Sequence, residues 1–495
     1  MTGERVDAVV VGAGPNGLAA AVTLARAGLA VRVYEQAPHP GGGTATRELT
    51  GPGYRHDVCS AVHPLALESR FFREFGLAQR IDLHTPEVSF GHPLDGGRAA
   101  VAYRDLARTA AGLGRDGAAY RALVAPLAER STRIARFTGS PLLRVPDDPV
   151  AALLFGLRAI EQGSPLWGAR FAQDLAPALL TGVAAHTILP QPGLAAAGAG
   201  LALTAYAHAR GWPIPIGGSQ AIADAMVDDL RAHGGELITD HEVRSLDDLP
   251  TARAVLLDVT PRTLIRLAGE RMPARYRRAL DRFRYGAGVA KVDFALTAPV
   301  PWEHAELRRA GVVHVGGTRA EIAAAENAVQ RGGHPERPYV LVAQQSLFDP
   351  TRAPAGGQTL WTYTHVPAGS DVDRREAVIA QIERFAPGFR DVIVHTASVT
   401  ASDVARQHPN YPGGDISAGA ATFGQLLRRP VLSPDPWRTP ISGLYLASAS
   451  TPPGPGVHGL AGWYAALSAL RHEFGTRALP DLSPDPLSPD PGTGT

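Results

Sequence analysis

Three glycines give the first chemical signal. Gly12-x-Gly14-x-x-Gly17 follows the Val-rich run 6–11 and opens a helical stretch at 18–27. Such a turn suits phosphate. Gly12 permits the sharp bend, Gly14 lets a pyrophosphate approach the backbone, and Gly17 lets helix and strand pack closely. Pro15 and Asn16 lie in the same turn, at a helix N-terminus whose free N–H groups and positive dipole end attract an anion. Glu35 closes the next strand, 30–34. A carboxylate there accepts both ribose hydroxyls and repels a 2′-phosphate. Strand, glycine turn, helix and terminal acid are in register for a dinucleotide.

Other segments must position this unit. Gly217-Gly218-Ser219 precedes a helix at 221–233 that Gly234-Gly235 stops; strands are expected at 236–239, 242–246 and 254–259. Residues 288–296 alternate as a strand does, 441–447 reads as a late strand and 462–474 as a final helix. The expected architecture is α/β, a Rossmann-like dinucleotide-binding domain, assigned below to FAD by resemblance, interrupted by a mixed α+β substrate domain. Its dinucleotide-binding segments are 1–85, 212–289 and 437–476. The substrate segments are 86–211, mainly helical, and 290–436. The Pro/Ser/Asp/Gly-rich stretch 477–495 is expected to be a disordered tail.

The choice of FAD rests on a resemblance. Gly41-Gly42-Gly43-Thr44 and Arg47, so soon after Glu35, are similar to the start of glutathione-reductase-like and amine-oxidase-like flavoproteins. Trp212-Pro-Ile-Pro-Ile-Gly-Gly-Ser-Gln220 with Thr239-Asp-His-Glu-Val243 resembles the middle motif of phytoene desaturases. Gly443-Leu-Tyr-Leu-Ala-Ser-Ala-Ser450 and Gly454-Pro-Gly456-Val-His-Gly459 resemble their C-terminal flavin motif. Asp57-Val-Cys-Ser-Ala-Val-His63-Pro64 fits the wider phytoene-dehydrogenase-like group. The resemblance runs in order over nearly the whole chain, 86–211 excepted. It implies that the backbone of Val243 meets the adenine and that Gly456, Val457 and His458 lie by the flavin's pyrimidine edge. Ala449 departs from the family's usual Asp, so Ser448 or Ser450 is expected to substitute.

The resemblance also implies the reaction: hydride passes from a small or lipophilic substrate to flavin N5, and O2 or a quinone reoxidises the flavin. His458 is the first candidate base, before His63 and His186, because imidazole titrates in the useful range. Lys291, the one lysine of the chain, lies in a stretch resembling the amine-oxidase segment whose lysine holds a water at N5. An amine oxidase is therefore one alternative. A non-catalytic prenyl- or lipid-binding module of the same fold, as in Rab escort proteins, is another, opposed by the intact Gly12/Gly14/Gly17/Glu35 set.

Composition narrows the field. Of 495 residues 45% are hydrophobic and the net charge is +1, which speaks against disorder and against a nucleic-acid partner. One cysteine, Cys59, excludes a CxxC pair. No second strand–GxGxxG–helix unit, GxSxG or HExxH occurs, and His56, Asp57, Cys59 and His63 lack a second half-site for zinc. The start carries no signal-peptide pattern, so a cytoplasmic location is expected. The uncharged stretch 175–209 is broken by Pro190 and Pro192. It reads as the wall of a lipophilic pocket or a surface resting on a membrane.

Overall fold

The computed structural model describes residues 6–484. Five short apolar strands form a parallel sheet in the order Leu444–Leu446, Ala254–Leu257, Ala8–Val11, Val31–Tyr34, Glu236–Ile238. The beginning, middle and end of the chain each supply part of it. Burial on both faces explains the near-continuous Val and Leu. Helices Pro15–Arg26 and Leu460–Glu473 both pack on the sheet and lie against each other. The two helices touch through small residues: a Cβ on Gly462 would lie 1.7 Å from the carbonyl oxygen of Asn16.

The second sheet has seven strands, in the order Ile393–Val399, Gly288–Leu296, Gln358–Val366, Val340–Ala343, Ala310–Val315, Val88–Leu94, Arg98–Tyr103. All neighbours are antiparallel except Ala310–Val315 beside Val88–Leu94. Helices Pro149–Gln162, Leu175–Ala184 and Leu194–Ala209 pack over one face. Residues 175–209 are thus two helices joined by a turn with a cis Gln191–Pro192 bond, and their small residues allow close contact. Among the described residues no helix is long and apolar enough to cross a membrane.

Two expectations need correction. Residues 242–246 are not a strand. Asp240 takes a positive φ of 53° and turns the chain away, and the Asp248 carboxylate accepts the N–H groups of Arg244 and Ser245. Those donors are therefore spent locally, where a ladder would need them. The expected disordered tail starts with an ordered stretch: Leu482 is buried in the core around helix Pro15–Arg26, and Arg80 donates to its carbonyl oxygen. Residues 485–495 of that tail lie outside the described residues.

Candidate dinucleotide and substrate cleft

A cleft of about 830 Å³ opens at the C-terminal ends of the parallel strands and continues onto the second sheet. In an α/β sheet this is where ligands bind. Its dinucleotide wall is mostly backbone. Gly12, Gly14, Pro15 and Asn16 line it, faced by Gly42 and Gly43, with Glu35 and Val243 along one flank and Ser448, Gly456, Val457 and His458 on another. Gly12 has φ +100°, and a Cβ on Gly42 would stand 3.2 Å from the Cα of Gly14. Side chains at these positions would fill the groove. Gly17 lies behind the turn; its Cβ would sit 2.0 Å from the Gly12 carbonyl oxygen.

Glu35 is held for its role. One carboxylate oxygen accepts the N–H of Ala13 at 2.7 Å and the other that of Ala37 at 2.8 Å. Each oxygen keeps a further lone pair for a ribose hydroxyl. The Oδ1 of Asn16 is buried without a partner in the cleft wall. A narrow glycine groove, an oriented acid and an orphaned polar atom together fit the ribose and pyrophosphate of a dinucleotide.

Other expected ligands stand back from the cleft. The Thr44 hydroxyl donates to Gly41 O at 2.8 Å and shapes the glycine turn from behind. Arg47 donates to Thr46 O and to Gln220 Oε1 at 2.7 and 3.1 Å and does not line the cleft. Ser450 is fully buried and donates to Ala418 O at 2.7 Å. Ser448 alone of the two serines faces the cleft. The carbonyl oxygen of Ala449 takes the Nε–H of buried Arg429 at 2.8 Å.

The two expected catalytic residues are also corrected. His458 donates from Nε2 to Gly454 O at 3.1 Å and accepts the Leu460 N–H on Nδ1 at 3.0 Å. Both ring nitrogens hold the turn, and burial pushes the ring down to about 4. No lone pair is left for a substrate proton. Lys291 does not line the cleft; its ammonium is tied to Asp293 and lies 5.7 Å from the ring centre of Trp361, which does. Lys291 and Asp293 share one face of their strand because side chains alternate.

His63 is better placed. It lines the cleft, its Nε2 is 2.8 Å from Ser219 Oγ, and its Nδ1 is buried without a partner. Burial pushes this ring too down to about 4. The preceding loop is anchored by Asp57, whose carboxylate takes Thr46 Oγ1 at 2.7 Å, the Ser219 N–H at 2.9 Å and Arg352 Nη1 at 3.0 Å.

The most prominent unforeseen residue is Asp258. It follows strand Ala254–Leu257, accepts the Gly17 N–H at 3.0 Å and would meet a Cβ on Gly14 at 2.9 Å. Burial, with Glu35 nearby, pushes its carboxyl up to about 7. A pyrophosphate next to it would favour the protonated form further. An acid closing a parallel strand just before Thr260-Pro261, a helix cap, was the signal available in the sequence. Tyr411, whose hydroxyl lies over Gly43, and the aromatic pair Trp361 and Tyr363 were also unforeseen.

The comparisons agree with this geometry. A family model described as an NAD(P)-binding Rossmann-like domain matches residues 10–75. Pyridine nucleotide-disulfide oxidoreductase domain-containing protein 2 of Rattus norvegicus is 26% identical, over 94% of this chain and 93% of its own. Two solved structures superpose on the chain. Wild-type putrescine oxidase bound to putrescine has a TM-score of 0.57 at 17% identity, covering 95% of this chain and all of its own. Cyclohexylamine oxidase from Brevibacterium oxydans IH-35A has a TM-score of 0.56 at 17% identity, covering 94% and 99%. The chain has an α/β fold with a Rossmann-like dinucleotide-binding domain, in the arrangement of the amine oxidase structures.

Proposed function

We propose that the protein is an FAD-dependent oxidoreductase of the phytoene-dehydrogenase-like kind, acting on a lipophilic substrate. Segments 1–85, 212–289 and 437–476 form its FAD-binding part; 86–211 and 290–436 form its substrate part. The observation that carries the reading is one cleft that joins the glycine groove and Glu35 to an apolar chamber. FAD, when bound, supplies the hydride acceptor, and O2 or a quinone takes the electrons onward.

This chain's residues do the rest. Gly12, Gly14, Gly42 and Gly43 admit the pyrophosphate, Glu35 orients the ribose, and Val243, Ser448, Gly456 and Val457 flank the remainder. Phe155, Leu203, Val312, Leu341 and Trp361 exclude water from the substrate. Anaerobic addition of lipids, terpenoids and amines to the purified yellow protein tests the reading. Bleaching by a lipid or terpenoid is expected; bleaching by amines alone would contradict it. The amine oxidase alternative has one observation in its favour. Glu68 lines the cleft with its carboxyl raised by burial, a group able to hold a substrate ammonium.

The protein also rests on a lipid bilayer in this reading. Leu143, Val145, Val150, Leu153, Leu157 and Ile160 are each more than half exposed. Four of them form one stripe of helix Pro149–Gln162, whose Ala152, Phe155 and Ala159 line the cleft. Ile160 does both, so the apolar chamber opens beside the apolar surface. Exposed Arg136 lies in the same segment and suits an anionic headgroup, while Arg133 and Arg144 pair with Asp148 and Asp147. A location at the cytoplasmic face of a membrane follows from this reading.

A further inference from the structure

The hydride step gives no role to two paired histidines at the substrate end of the cleft. The ring of His186, just after helix Leu175–Ala184, lines the cleft. Its Nε2 is 2.8 Å from Nε2 of His314. Its Nδ1 makes no hydrogen bond and, unlike the Nδ1 of His314, is not buried. The residue is partly exposed, although it sits deep enough for burial to push the ring down to about 3. The exposed edge therefore faces the cleft.

His314 holds this ring in place. It lies on strand Ala310–Val315 and is fully buried, boxed by Phe90, Trp212 and Tyr339 with ring centres 5.3, 6.1 and 6.2 Å away. Helix Leu175–Ala184 packs tightly on it: a Cβ on Gly182 would stand 2.9 Å from the Cβ of His314. Burial pushes His314 well below its ordinary value. Both rings are thus neutral near pH 7, and each carries its one proton on one nitrogen.

One proton lies between the two Nε2 atoms. If His186 supplied it, His314 would keep its own on Nδ1, a buried N–H with no acceptor. Among buried backbone groups such orphaned donors are rarer than under-satisfied acceptors, and the same asymmetry decides between the rings. His314 therefore donates from Nε2, and His186 holds its proton on Nδ1. The pair turns an N–H into the chamber among apolar neighbours. Val312 shares a strand face with His314, Leu341 pairs with His314 across the ladder, and both line the cleft. Trp212 stands edge-on to His186 at 5.7 Å, its own N–H donated to Leu203 O.

We propose that His186, oriented by His314, is a fixed hydrogen-bond donor for a carbonyl oxygen, so that the lipophilic substrate is a carbonyl compound. This deepens the oxidoreductase reading and rests on it. A carbonyl oxygen only accepts, whereas a hydroxyl would bring a proton with no partner among these apolar side chains. The role replaces the base expected of His186 from the sequence, because a nitrogen that already presents a proton to the chamber has no lone pair there for another. His186 touches the substrate; His314 is a positioning residue.

NMR of the full chain labelled with 15N-histidine tests the tautomers, with His186→Phe and His314→Phe assigning the rings. His186 is expected as Nδ1–H and His314 as Nε2–H, and the reverse pattern overturns the proposal. The binding probes are 2-undecanone and 2-methyl-1-undecene, in which a CH2 group replaces the oxygen, titrated by tryptophan fluorescence. The ketone-to-alkene affinity ratio is expected to fall about tenfold in His186→Phe and by less in His314→Phe, with the affinity for the alkene unchanged. An unchanged ratio in folded His186→Phe overturns the donor. Circular dichroism reports folding. If His186→Phe does not fold, the parent decides: the ketone is expected to shift one imidazole N–H signal that the alkene leaves in place, and no such shift overturns the proposal. A colourless chain with the expected results overturns the flavin reading and leaves the donor standing; a yellow chain without them does the reverse.

Discussion

On the dinucleotide side of the cleft the wall is backbone, built from glycines that side chains would block. On the substrate side it is side chain, built from aromatic and aliphatic groups interrupted by histidines. In the proposed reading the first wall recognises something invariant, a phosphate chain and a ribose, and leaves little room for change, while the second excludes water and tolerates many occupants. Substitutions on the first side should therefore abolish binding, and those on the second should shift it by degrees.

The largest effect is expected at the glycine turn. Gly17→Ala places a Cβ 2.0 Å from the Gly12 carbonyl oxygen, so the turn must open. Such overpacking is expected to cost about 3 kcal/mol of stability and to remove dinucleotide binding. Urea unfolding and flavin fluorescence check both, and a Gly17→Ala protein that retains cofactor would erase the contrast between the walls.

A smaller effect is expected where the substrate side meets solvent. Leu153→Asp with Leu157→Asp breaks the exposed stripe without touching the buried face of helix Pro149–Gln162. Co-sedimentation with anionic lipid vesicles is expected to fall about tenfold while cofactor content stays constant. Equal sedimentation of parent and variant would contradict the bilayer contact.

A third effect is spread through the protein and touches neither wall alone. Burial holds His63, His92, His208 and His458 at about 4 and His186 at about 3. Unfolded histidines bind protons below about 6.5 while these do not, so each takes stability away as pH falls from about 6.5 to 4, by up to ~1.4 kcal/mol per pH unit. Asp258 acts the other way: held at about 7, it keeps its proton when folded and loses it when unfolded, so it destabilises as pH rises from about 4 to 7. His314 and His408 are lowered by burial as well and Glu68 and Asp415 raised, so the histidines outnumber the acids. The urea midpoint is expected to drop between pH 6.5 and 4.5, and a flat profile would contradict the burial of these rings.

The two walls also differ in how far the sequence revealed them. Gly12, Gly14, Gly42 and Glu35 were legible because a backbone turn that must pass close to a ligand permits few residue types. Asp258 was readable in principle, as an acid closing a parallel strand, but it needed the strand order that places it under Gly14. His314 was not legible. It lies on a strand buried on both faces, and periodicity does not say which face looks toward a cavity. His458 and Lys291 illustrate the limit of position alone. A motif put them near the site, while two backbone hydrogen bonds and one carboxylate decide what their nitrogens do.

In the proposed function, one adenine dinucleotide carrying a flavin lies extended along the glycine groove and Glu35. Unfolding the purified protein and identifying what it releases tests this most directly. Close to one FAD per chain is expected, with Gly17→Ala releasing none. A parent protein that releases no flavin and takes up none when FAD is added would contradict it.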